Sequence, residues 1–296
     1  MKTLIKLLLP IALLVSCDAP KAVEVLATTS VVADAARQLL PPEVEVQALM
    51  QSNIDPHSYK PIERDVHTIN TAKIVLHNGL HLEGKMTEIL EKVSLNKPVY
   101  AMSEPLSSSE LINVGPNVVD PHIWFDLKLW ERCVRELAVF LSEQFPEHRA
   151  IIQNNSEAYS AELLIAHNTF YNQSSQVPDS LRAIVTAHDA FSYFGRAYNI
   201  QVKGLQGIST AAEFGVKDMS STANFIIATG LNTVFTETSV NSKSIEALKE
   251  AVEQKGGKVS LGKPLYSDAL GEQGTKEASL IGAFEYNTTQ ILNSWK

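Results

Sequence analysis

Residues 147 to 175 contain neither proline nor glycine. A stretch of 29 residues without a breaker reads as one helix, long for a globular protein. Much of its surface is polar, with Asn154, Asn155, Ser156, Glu157 and Asn168, and His148 and His167 read as solvated helix positions. On either side of it, strand and helix patterns alternate. A long helix between two such segments restricts the chain to two α/β halves joined by a rigid connector.

The first alternation begins with a strand at residues 23–27. Ser30 can cap a helix through Leu39, which Pro41-Pro42 stops. Val44, Val46 and Ala48 alternate with polar residues as a half-buried strand does. Helices over 61–71 and 82–93 then alternate with strands at 74–76 and 99–101. Leu127, Trp130, Val134, Leu137 and Leu141 have helical spacing up to Pro146. Beyond the connector, strands are predicted at 183–186, 201–204, 233–235 and 258–261. Helices are predicted at 190–197, 216–229 and 242–254, with a last one from about Lys276. This order points to mainly parallel sheets.

Lys2 and Lys6 precede an apolar run from Leu7 to Val15. The run is too short for a bilayer span of about 20 residues but suits an export signal. It ends in Leu14-Val15-Ser16-Cys17, which resembles a bacterial lipobox, so Cys17 is expected to be lipidated and to begin the mature chain. The body would then sit tethered by lipid to the outer face of a membrane. Only one other cysteine is present, which rules out a disulfide framework or a Cys-rich zinc module. Cys133, within a helical pattern, reads as a small buried hydrophobe. The balance of 25 basic against 33 acidic residues, net −8, argues against nucleic acid as a partner.

One tripeptide occurs twice, as Asp55-Pro56-His57 and Asp120-Pro121-His122. Ordinary composition statistics expect it on the order of 0.01 times by chance. An aromatic follows each after one residue, Tyr59 and Trp124. Both tripeptides lie beyond extended segments, where open α/β sheets place ligands. Proline restrains the backbone beside each histidine, which suits an imidazole aimed before a metal arrives. His188 follows a strand, and Asp268 follows the last strand and a short loop. Alone, His188 would read as a histidine at the start of a helix and Asp268 as a turn residue or helix cap.

Taken in order along the chain, several segments carry a resemblance. They are Thr28-Thr29-Ser30-Val31-Val32-Ala33-Asp34, Asp55-Pro56-His57-Ser58-Tyr59 and Asn78-Gly79-Leu80-His81-Leu82-Glu83. Asp120-Pro121-His122-Ile123-Trp124-Phe125-Asp126 and Thr186-Ala187-His188-Asp189-Ala190 follow. Gly204-Leu205-Gln206-Gly207, Thr236-Glu237-Thr238-Ser239 and Leu265-Tyr266-Ser267-Asp268 complete the set. Together they resemble the metal-binding lipoproteins of bacterial ABC importers for zinc and manganese.

The resemblance implies two Rossmann-like (β/α)4 lobes joined by a long rigid helix. The expected divisions are a signal peptide at 1–16, an N-terminal lobe at 17–145, a connecting helix at 146–178 and a C-terminal lobe at 179–296. Carried across by motif, the metal ligands are His57 and His122 from the first lobe and His188 and Asp268 from the second. In manganese-selective relatives the third position is glutamate, whereas this chain has His188. The His-rich loop frequent in zinc-selective relatives is missing; His67, His77 and His81 are scattered through that interval and are not expected to be ligands. The transported ion would be Zn²⁺ or Mn²⁺, with Fe²⁺ also compatible with an N/O donor set. The implied partner is a permease in the cytoplasmic membrane, reached by a monomer on the periplasmic or extracellular face. Two other readings fit a zinc site in an exported protein: a zinc hydrolase and a metal-stabilised adhesin. Against the first, the chain has no His-Glu-x-x-His helix. Against the second, it has no repeat or stalk.

Overall fold

The computed structural model describes residues 23–212 and 215–296. The leader and Cys17 lie outside the described residues. In the first half, strands β1 (Val25–Ala27), β2 (Val46–Ala48), β3 (Ile74–His77) and β4 (Val99–Ala101) form a parallel sheet in the order β2-β1-β3-β4. Helices α1 (Ser30–Leu39), α2 (Glu63–Thr71) and α3 (Thr87–Ser94) connect them. Thr29, not Ser30, caps α1: it is the last extended residue, and its Oγ1 accepts the Val32 N–H at 3.3 Å. The Ser30 hydroxyl instead accepts the Leu270 N–H at 2.9 Å, far along the chain.

After β4 comes a short antiparallel hairpin, β5 (Asn113–Gly115) and β6 (Val118–Val119), which periodicity did not foresee. Strands of three and two residues, mostly exposed, leave too little pattern to detect. The second half holds β7 (Ala183–His188), β8 (Gln201–Gln206), β9 (Thr233–Val234) and β10 (Ser260–Leu261). β7 pairs in parallel with β8, and β9 with β10. The Phe235 N–H donates to the Val185 carbonyl at 2.9 Å and joins the two pairs. The resulting order, β8-β7-β9-β10, repeats that of the first sheet. Its helices are α6 (Ser192–Tyr198), α7 (Val216–Thr229), α8 (Lys243–Gln254) and α9 (Leu280–Ser294).

Between the halves run α4 (Leu127–Gln144) and α5 (Arg149–Ser174). α5 has 26 residues, which at 1.5 Å per residue makes it about 39 Å long. It is continuous, as the missing breakers predict, but it is not a solvated strut. It packs against α1, α4 and α9, burying Ile152, Tyr159, Leu163, Ala166 and Phe170. His167 is therefore buried, with Nδ1 3.0 Å from the Tyr198 hydroxyl, and His148 is half-buried in the turn before the helix. Both depart from the solvated positions that polarity suggested: helices from both halves cover α5 around His167, and His148 lies beside Phe145 and Glu43.

One hydrophobic core runs from Val25, Ala27 and Leu39 through Trp130, Leu163 and Phe170 to Ile184, Phe194 and Phe284. Two smaller cores occupy the far face of each sheet, one around Leu26 and Val75, the other around Val185 and Ile226. Alternate residues of one strand thus serve different cores. Asp34 pins the shared core: its carboxyl accepts the Leu280 N–H that opens α9 at 2.9 Å and the Tyr159 hydroxyl of α5 at 3.3 Å. Cys133 is fully buried, as expected, and burial pushes its thiol up to about 12. No described helix is long and apolar enough to cross a membrane.

Candidate metal centre

The four ligand candidates converge from separate strand ends. His57 lies in the loop after β2, and His122 follows the hairpin beyond β4. His188 is the last residue of β7, two positions further into the strand than the sequence suggested. Asp268 follows Leu265, which bridges to Glu237 beyond β9. In parallel sheets the carboxyl ends of strands share one edge, so loops distant in sequence meet there.

Each Asp-Pro-His loop is an Asx turn. The His57 N–H donates to Asp55 Oδ1 at 2.9 Å, and the His122 N–H donates to Asp120 Oδ1 at the same distance. The repeated tripeptide is thus a folded unit that presents an imidazole. His122 is central: its Nε2 lies 3.1 Å from His57 Nε2, 3.4 Å from His188 Nε2 and 3.4 Å from Asp268 Oδ1. Asp268 Oδ2 lies 3.3 Å from His188 Nε2. One ligating atom from each of the four residues falls within 4.8 Å of every other. Donors about 2.0–2.1 Å from a tetrahedral zinc stand about 3.3 Å apart, so the cluster is spaced for one ion.

All four residues are buried, His57 at 6% exposure and the others at 1% or less. The Asp268 oxygens face His122 and His188 Nε2 at 3.3–3.4 Å and receive a hydrogen bond from no other group. A carboxylate out of water with no other donor needs a cation, either imidazolium protons or a metal. The outer faces of two rings are already engaged. His122 Nδ1 lies 2.7 Å from Asp120 Oδ1, and His188 Nδ1 lies 2.6 Å from Glu237 Oε2. A proton held on each Nδ1 leaves the Nε2 lone pair directed at the cluster centre. The residues present therefore fit a divalent ion.

The electrostatics divide the histidines. Burial pulls His57 down to about 4, so its ring is neutral near pH 7. Burial acts the same way on His122, but Asp120 and Asp268 outweigh it and raise that ring to about 9. Burial is likewise overcome at His188, where Glu237 and Asp268 hold the ring well above its ordinary value. Burial of Asp268 is in turn outweighed by His188 and His122, which keep the carboxyl well below the ordinary carboxylate range.

Residues 25–294 match the family model described as ZnuA, the periplasmic component A of zinc-uptake complexes. The chain belongs to this family. It is 38% identical over 280 residues to the manganese-binding lipoprotein MntA of Bacillus subtilis, covering 94% of this chain and 92% of that protein. It is 37% identical over 268 residues to the zinc-binding protein TroA of Treponema pallidum, covering 90% and 87%. The solved structure of that TroA superposes with a TM-score of 0.89 at 36% identity, over 92% of this chain and 98% of the other. Fe(III)-bound YtgA of Chlamydia trachomatis, at 24% identity and a TM-score of 0.83, shares the fold. The family consists of solute-binding proteins for metal transport, and the hydrolase and adhesin readings find no support in it.

Within this ZnuA-family chain the histidines outside the cluster stay outside it. His67 and His81 are exposed, His77 is half-buried at the end of β3, and none joins a group of ligand atoms among the described residues. Sequence reasoning missed what stands behind the ligand candidates. Glu237 was visible only as one letter of a motif, and its approach to His188 depends on β9 lying beside β7. Ser267 belongs with it: Trp124, two residues past His122, donates from Nε1 to the Ser267 carbonyl at 3.1 Å and ties the second ligand loop to the fourth. The spacing of the aromatic after each tripeptide was the available signal.

Proposed function

We propose that this protein captures a divalent transition metal, zinc or manganese, outside the cytoplasmic membrane and hands it to an ABC permease. His57 and His122 would supply two donors from an N-terminal lobe at 17–145, and His188 and Asp268 two from a C-terminal lobe at 179–296. The connecting helix at 146–178 would hold the lobes in register. Lipid on Cys17 would keep a monomeric body close to the permease. The observation that carries this reading is the buried Asp268 carboxylate facing three imidazole nitrogens at ion-binding spacing.

The carrier's residues bind and release; they do no chemistry on the ion. Asp120 and Glu237 would keep the proton of each ring on the side away from the metal, so that His122 and His188 bind through Nε2. The two Asp268 oxygens permit either four or five donors. Affinity alone favours zinc over manganese for such an N/O set, so the metal carried depends on supply as well as geometry.

The test is elemental analysis of protein purified from its own cell envelope, followed by competitive titration of the metal-free protein. One tightly held zinc or manganese per chain is expected, held more weakly on replacing any of the four ligands by Ala. A chain that takes up no stoichiometric metal would refute the reading.

A further inference from the structure

Between β3 and α3 the backbone passes through three successive left-handed residues, Gly79 at φ 83°, Leu80 at φ 54° and His81 at φ 61°. Only the first is a glycine. Non-glycine residues enter this region at a cost and remain there when surrounding structure demands it. The run returns Glu83 beneath Asn78. Both side chains are buried, at 3% and 0% exposure. Glu83 Oε1 accepts two hydrogen bonds, from the Thr28 hydroxyl at 2.6 Å and from the Asn78 N–H at 2.8 Å. Asn78 then donates from Nδ2 to the Pro121 carbonyl at 2.9 Å. Pro121 immediately precedes His122, the ligand whose Nε2 is nearest to all the others.

We propose that Thr28, Asn78 and Glu83 form a brace that positions His122 for metal binding. The three residues touch no ligand atom. They fix the middle of the Asp120-Pro121-His122 turn, whose other carbonyl, that of Asp120, is held by the Tyr193 hydroxyl at 3.1 Å. With both carbonyls tethered, the turn cannot rotate His122 away from the cluster without breaking a buried hydrogen bond. The left-handed run is the backbone path that brings Asn78 and Glu83 together. The proposal rests on the four-ligand reading of the metal centre and adds three positioning residues to it.

Titration with Co²⁺ alone tests it, because the visible d–d bands of bound cobalt report the geometry of its donors. Wild-type protein is expected to bind one ion with an intense, structured spectrum. Glu83→Ala and Asn78→Ala should each weaken binding about tenfold or more, the range of lost outer-shell support, and alter the d–d bands. Glu83→Gln should match wild type, since its amide oxygen can accept the same two hydrogen bonds. Should Glu83→Ala not fold, Asn78→Ala carries the test, because it removes the donation to Pro121 and a local one to the Gly79 carbonyl at 3.2 Å and leaves the Thr28–Glu83 contact. Wild-type spectra and affinity in both alanine variants, even with lowered melting temperatures, would make the network merely structural and overturn the proposal. A Glu83→Gln variant as impaired as Glu83→Ala would also overturn it. A wild-type protein that binds no cobalt would instead refute the metal-site reading beneath it.

Discussion

The two Asp-Pro-His loops share a sequence and a turn, yet their surroundings differ. In the first, Asp55 turns outward: its Oδ2 accepts from Ser58 at 2.8 Å and, across the lobes, from Thr210 at 2.5 Å. Tyr59 stays within its own lobe, donating to Asp65 at 2.6 Å. In the second, Asp120 is fully buried and turns back onto its own histidine. Trp124 reaches the other lobe, and Asn78 and Tyr193 hold the loop's carbonyls. The same tripeptide thus presents one candidate ligand whose loop is tied outward and one whose ring and loop are held from within. A motif sets the local turn, and neighbours decide how firmly the side chain is held.

Removing the ligands themselves should expose this difference most strongly. His122→Ala is expected to lower zinc affinity by more than about a hundredfold, and His57→Ala by clearly less, because His122 Nε2 lies within 3.4 Å of a donor atom of each of the other three. Titration against a competing chelator measures both. Equal losses would mean that centrality of His122 carries no weight.

The pH dependence should sharpen the same contrast. His122, raised to about 9, and His188, also held above its ordinary value by Glu237 and Asp268, favour protons that a metal must displace. His57, lowered to about 4, carries none. Affinity should therefore fall as pH falls, with protons released on binding near pH 7.5. His57→Ala should keep that slope, and His122→Ala should reduce it. The sign for the metal-free fold is opposite. A raised histidine pKa stabilises it fully below the ordinary value near 6.5. That contribution is lost as pH rises through about 9. The rise in melting temperature on adding zinc should accordingly be larger at pH 8.5 than at 6.5 in differential scanning fluorimetry.

The carboxylates behind the two histidines should rank next. Asp120→Ala removes the partner of the His122 ring and should cost about 10–100-fold in affinity. Asp55→Ala leaves the His57 ring contacts intact and should cost less than about tenfold. The smallest effect should come from Thr210→Val, which removes only the hydrogen bond across the lobes. It should raise the metal off-rate a few-fold in stopped-flow competition with little change in melting temperature. An unchanged off-rate would remove Thr210 as a fastening of the first loop.

The shared core adds a physical reason for limited lobe motion. Sequence pointed to the unbroken helix as the stiff part, but Phe170, Phe194 and Phe284 form one apolar body with the face of both sheets. Opening the cleft widely would expose that body to water. Loss of metal should therefore rearrange ligand loops and tilt the lobes slightly.

Much of the protein was legible before folding was considered. Hydrophobic periodicity marked the strands and helices, and proline placed the ends of α1 and α4, because these signals act within a few residues. The doubled tripeptide stood out because two identical turns make two identical demands on local backbone. His188 and Asp268 were chosen by motif resemblance alone, and proximity of all four residues appears only when strand ends are aligned. The hairpin β5–β6 and the buried state of His167 were hidden, one by shortness, the other because polarity does not say which helix will cover a residue. Glu237 behind His188, Trp124 on Ser267, and Asn78 on Pro121 belong wholly to tertiary structure. Sequence determined which groups could bind a metal, since that is a property of side-chain chemistry. Folding decided which of them meet and how rigidly, since a hydrogen bond between residues 43 apart depends on every element packed between them.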